Sequence, residues 1–127
     1  MVGEYGVASE IEIALYGEEW AAVVAPDGAV GDHDIHEFSL AVDHLRLRVA
    51  AWEWRHSRWS VALFPQARLV SMVSGKPDDE DYFHLPWSIH TFLCERLEDG
   101  RWYFILNCEN SRWRWTSDWP SIEHIRA

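Results

Sequence analysis

Two apolar-rich runs, 91–97 and 101–108, flank Asp99-Gly100, and this arrangement limits what the C-terminal half of the chain can become. Asp-Gly tolerates the positive backbone angles of a two-residue turn, so the runs are expected to pair as an antiparallel hairpin with Glu98 opposite Arg101. Side chains alternate across a strand. That register therefore puts Leu93, Leu97, Trp102, Phe104 and Leu106, with Glu95, on one face, and Phe92, Cys94, Arg96, Tyr103 and Ile105 on the other. The first face is the better core candidate. The same register sets Cys108 opposite Thr91 on the Leu93 face and Cys94 on the reverse. The chain's two cysteines are thus expected to remain reduced thiols.

Segment 35–54 decides the fold class. As a helix, Ile35, Phe38, Val42, Leu45, Val49 and Trp52 recur at spacings of three and four behind Asp34 and Glu37, which would give an α+β fold with a long helix over 35–55. That helix leaves Leu40 and Leu47 on its polar side. As a hairpin turning at Asp43-His44, Val42 pairs with Leu45, Leu40 with Leu47 and Phe38 with Val49. All six then share a face, with Ser39, Ala41, Arg46 and Arg48 pointing out. Strands fit better, and the helix stands as the alternative.

Elsewhere 10–15 and 20–25 read as strands joined across Tyr16-Gly17-Glu18-Glu19, and 59–64 and 68–73 as two more, broken at Pro65. Residues 74–81 read as a solvated loop. A short helix is expected from Asp118, with Pro120 in its first turn and Ile122 and Ile125 facing the body. A chain of 127 residues suits one core. The expectation is a single domain, 1–127, mainly β, with an antiparallel sheet curled into a small barrel or sandwich.

Charge narrows the partners. The net charge is −10, unevenly spread. Residues 1–45 hold ten acids and no Lys or Arg, 46–75 hold five Arg against Glu53, and the remainder has ten acids to six bases. Such a balance repels nucleic-acid phosphate and anionic lipid, and it favours a basic protein partner. With no apolar run of membrane-spanning length and no basic N-terminal opening, a cytoplasmic location is expected.

Catalytic signatures are sparse. There is no phosphate-cradling glycine loop, no Gly-x-Ser-x-Gly and no Cys-x-x-Cys, and after His36-Glu37 a leucine, Leu40, replaces the second histidine of a zinc helix. Asp32, Asp34 and His36 would project to one side of an extended chain and mix oxygen with imidazole, although a polar turn entering a strand explains them as well. His84, His90 and Cys94 lack an orienting third group. No cofactor is implied.

Two sets of binding residues stand out. Asp78, Asp79, Glu80 and Asp81 beside Tyr82 form an acidic run with an aromatic anchor, suited to a partner's Lys or Arg. Among nine tryptophans, Trp20 and Trp102 lead as core candidates. Trp52 with Trp54, and Trp113 with Trp115, make same-face pairs. With Arg112 and Arg114 on the alternate face, they nominate a site for a nucleotide, sugar or aromatic metabolite. The expected function is a non-enzymatic acidic binder of the inhibitor, immunity or antitoxin kind that covers a basic site. A small-ligand binder is the alternative, and a metal-dependent enzyme built on Asp32, Asp34, His36 or His84 comes third.

Overall fold

In a computed structural model, which describes residues 8–23, 33–51, 58–74 and 84–126, the described residues form two short helices and eight strands. The helices are α1 (Glu10–Tyr16) and α2 (Glu18–Val23). The strands are β1 (His33–Leu40), β2 (His44–Ala51), β3 (Arg58–Pro65), β4 (Arg68–Ser74), β5 (Trp87–Arg96), β6 (Trp102–Cys108), β7 (Ser111–Ser117) and β8 (Ser121–Arg126). They make one antiparallel sheet in the order β4-β7-β6-β5-β1-β2-β3-β8, curled but not closed into a barrel.

The curl comes from two ribbons that bend together. Only Gln66 and Ala67 separate β3 from β4, and only 118–120 separate β7 from β8, yet β3 pairs with β8 and β4 with β7. Leu63 lies opposite Ser121 on one side of the bend, and Arg68 opposite Thr116 on the other. The sheet thus folds over its own core. Trp115, Phe64, Phe92 and Phe104 are fully buried there, with Phe64 edge-on to Phe104 at 4.9 Å and to Trp115 at 5.2 Å. Each such side chain contributes roughly 1.5–3 kcal/mol through burial. Leu45, Leu47 and Val49 of β2 and Ile11 and Leu15 of α1 complete the packing.

At the opposite seam the sheet is weakly joined. β1 and β5 share two register pairs, Asp34 with Ser88 and Ile35 with Trp87. Farther along β5, α1 takes the place of a strand. The Ser9 hydroxyl donates to the Phe92 carbonyl, and the Phe92 N–H donates to the Glu12 carboxylate at 3.4 Å. The same Ser9 and Glu12 form a capping box on α1, so one pair of side chains both starts the helix and fills the open strand edge.

Several expectations need correction. Residues 10–16 and 18–23 are helical, not strands. Ser9-x-x-Glu12 carried the helix-start signal, and Ile11 and Leu15, one turn apart, are the buried pair. Gly17, at φ 104°, ends α1 in a conformation that disfavours other residues. The tail from Ser121 is strand β8, because its backbone completes the free side of β3.

Both hairpins exist, but each register moves. In β1–β2 the turn is Val42-Asp43, with the Ala41 N–H donating to the His44 carbonyl and Leu40 opposite Leu45. This slip preserves the alternation. Phe38, Leu45, Leu47 and Val49 still face inward, while Val42 sits fully exposed at the tip. A bulge at His36 also brings Ile35 inside.

In β5–β6 the loop has three residues, closed by Leu97 N–H to Arg101 O and Gly100 N–H to Leu97 O, with Gly100 at φ 88°. Arg96 therefore faces Trp102, one residue off the expected pairing. A one-residue slip inverts a strand. Phe92 and Cys94, not Leu93, join Phe104 and Leu106 inside, and Cys108 lies on that same face. Cys94 and Cys108 are free thiols. They stay apart because four strand positions, roughly 13 Å, lie between Cys108 and the residue opposite Cys94.

Candidate functional site: an acidic corner

Four turns converge where the two ribbons bend. Gln66 stands between β3 and β4 in the left-handed region, at φ 54°. Its N–H donates to the Asp43 carbonyl of the β1–β2 turn at 2.7 Å, and its carbonyl accepts from the Arg101 guanidinium of the β5–β6 loop at 2.7 Å. Arg101 also meets Asp118 at 3.4 Å, and the Asp118 N–H donates to the Pro65 carbonyl. The corner is tied from every side.

These turns bring Asp43, Glu98, Asp99 and Asp118 to one end of the molecule, against Arg101 and the imidazole of His44. Asp43 pairs with His44 at 2.7 Å, and this hydrogen bond holds its carboxyl below the usual carboxylate range. Asp99 caps its own turn by accepting from the Arg101 N–H. Glu98 is exposed. Exposed pairs like these add little stability, so the carboxylates have their main effect on the surrounding potential.

Apolar anchors sit beside the acids. Trp119, next to Asp118, is 37% exposed and leans on Trp102 at 4.6 Å. Val42, next to Asp43, projects from the turn tip. A partly open tryptophan is a residue type enriched at interface hot spots, and the carboxylates beside it suit a partner's Arg or Lys.

The other nominated residues that are described do not gather into one site. Asp78, Asp79, Glu80, Asp81 and Tyr82, with Trp52, Trp54 and Asp32, lie outside the described residues. Trp115 is wholly inside the core. Trp113 is half-buried, stacked with Trp87 at 5.8 Å and touching Phe38 at 4.4 Å, and its indole N–H donates to Ser111. Arg112 and Arg114 leave the opposite face of β7, as alternation requires. The sheet separates the guanidiniums from the tryptophans.

Asp34 sits on β1, where burial raises its pKa despite the nearby His36. The His36 ring turns edge-on to Trp59 at 4.9 Å. Among the described residues no group of three or more His, Cys, Asp or Glu side chains could hold a metal. His84 and His90 are exposed, whereas Cys94 is buried and burial raises its pKa. Burial pushes Cys108 to about 12, so neither thiol is primed as a nucleophile.

One serine–histidine contact was not anticipated. Ser60 lies 2.9 Å from the Nδ1 of His124 and 2.7 Å from the Leu15 carbonyl. A hydroxyl has one proton, and a carbonyl can only accept, so the Ser60 proton goes to Leu15 and His124 Nδ1 is the donor. A serine whose proton is held by a backbone carbonyl is not activated by that histidine. The contact ties α1 to β3.

The corner residues were missed because sequence marks Asp43-His44 and Asp99-Gly100 as separate turns, 56 positions apart, and only the bend brings them together. No family model matches the chain, and neither a curated protein nor a solved structure matches it. The site is therefore read from its own geometry.

Proposed function

We propose that this chain is a non-enzymatic binding protein of the inhibitor, immunity or antitoxin kind, whose acidic corner covers a basic site on a partner protein. The observation that carries the reading is the Gln66 corner, where Asp43, Glu98, Asp99 and Asp118 are presented on turns already locked by backbone hydrogen bonds. Preorganised turns lose little entropy on docking, and a negative end on a chain of charge −10 steers a basic surface toward it. Trp119 and Val42 supply apolar anchors.

The test is affinity capture from the source cells with the wild-type chain and with an Asp43→Asn, Glu98→Gln, Asp118→Asn variant. Asp99 is left intact because it holds the turn. A stoichiometric basic protein retained at low salt by the wild type and lost by the variant is the expected result. Equal retention by both removes the corner from the interaction.

A second reading rests on half-buried Trp113 and Phe38, backed by buried Trp87, which could stack a flat ligand. Quenching of tryptophan fluorescence by nucleotides or sugars, reduced in Trp113→Leu, is its signature. A flat response to both classes ends it.

A further inference from the structure

β4 differs from every other strand in what it exposes. Leu69, Val70, Met72 and Val73 are between 44% and 61% exposed. The strand ends the sheet order and, among the described residues, pairs with β7 alone, so its outer edge offers main-chain donors and acceptors to an incoming strand. Edges of this kind are normally blunted by charge, proline or irregularity. Among the described residues the blunting amounts to Arg68 at the start and a bulge between Leu69 and Ser71.

The register around this edge assigns its charge. On the outward face Arg68 lies opposite Thr116, Ser71 opposite Arg114 and Val73 opposite Arg112. β4 and β7 together carry three arginines and no carboxylate, in a chain whose net charge is −10. On the inward face, Met72 continues the row of Trp113, and Leu69 that of Trp115. The arginines therefore share the outward face with Val73, while Leu69 and Met72 lie on the inward face, which carries no charge.

We propose that the free edge of β4 takes an extended segment of another protein, with apolar side chains beside Leu69 and Met72 and carboxylates on the face of Arg68, Arg112 and Arg114. Main-chain hydrogen bonds would hold the added strand, and its alternate side chains would be read separately by the two faces. Successive strands lie about 4.8 Å apart, and the small Ser71 leaves Arg114 room to lean across β4 toward the newcomer. A second copy is a poor occupant, since it repeats the same arginines and brings together two chains of like net charge.

Two short synthetic peptides test this, one alternating valine with glutamate and one alternating valine with lysine. The glutamate peptide is expected to bind about tenfold tighter or better, and to slow amide exchange at 70–74. Arg112→Glu should narrow the preference, because Arg68 and Arg114 remain, and Met72→Lys should weaken binding while leaving thermal unfolding unchanged, since both side chains are exposed. The corner variant should bind as wild type does, which separates this surface from the one proposed above. No binding, equal binding of the two peptides, or binding indifferent to Met72→Lys overturns the proposal. So does a concentration-dependent dimer that Met72→Lys abolishes, because a second copy would then hold the edge.

Discussion

The curled sheet is held shut at two places, and they are built differently. At the Gln66 corner, continuous strands bend and exposed turns are laced together by backbone carbonyls and one guanidinium. At the β1–β5 seam, strand pairing stops after two residue pairs, and the buried capping box of α1 substitutes for the missing ladder. One closure is exposed to solvent and the other is largely buried. A hydrogen bond lost where water can replace it costs little, whereas a buried group left unpaired costs its full desolvation. The seam should therefore govern stability, and the corner is free to carry function.

That contrast breaks most readily at Ser9. Ser9→Ala removes the cap of α1 and leaves the Phe92 carbonyl buried without its donor, an expected loss of about 2–3 kcal/mol by urea unfolding. At the corner, Arg101→Ala leaves groups that water can reach, and about 1 kcal/mol is expected. If the corner variant loses more than the seam variant, the two closures have been ranked in the wrong order.

Smaller effects sharpen the comparison. Burial raises the Glu12 pKa above its ordinary 4.5, outweighing the N–H groups of Ser9 and Phe92 that favour the carboxylate. A raised folded pKa means that the stabilising contribution is complete below the unfolded value and is lost as pH climbs through the folded one. Wild-type stability should thus decline from about pH 4.5 toward neutrality, and Glu12→Gln should flatten that decline. Gln66→Gly should stabilise by about 0.5 kcal/mol, because relief of a left-handed backbone slightly exceeds the entropy glycine adds to the unfolded chain. Destabilisation there would mean that the Gln66 side chain has a role beyond the backbone bonds.

How much of this was legible in sequence follows from the range of each interaction. Alternation over 35–49 and 92–106 correctly gave strands, since period-two patterning is local. Which face of β5 points inward was not recoverable, because a three-residue loop ending in Gly100 and a two-residue Asp-Gly turn use the same letters and differ by one in register. The helix at 10–16 was legible in Ser9-x-x-Glu12, but Ile11, Ile13 and Leu15 also satisfy strand alternation, so the apolar spacing alone left the two readings tied. The corner could not be read at all. Its acids are scattered over 43–118 and meet through a bend that depends on β3 and β8 finding each other.

The central claim is that the corner carboxylates draw in a basic partner. The most direct measurement is the association rate of the captured partner as a function of sodium chloride, for the wild type and for the Asp43→Asn, Glu98→Gln, Asp118→Asn variant. Steering by the corner predicts that the wild-type rate falls by roughly tenfold or more from low to high salt, while the variant is slower at low salt and nearly level. Parallel salt profiles for the two proteins would contradict it, and would move the interaction to another surface of the molecule.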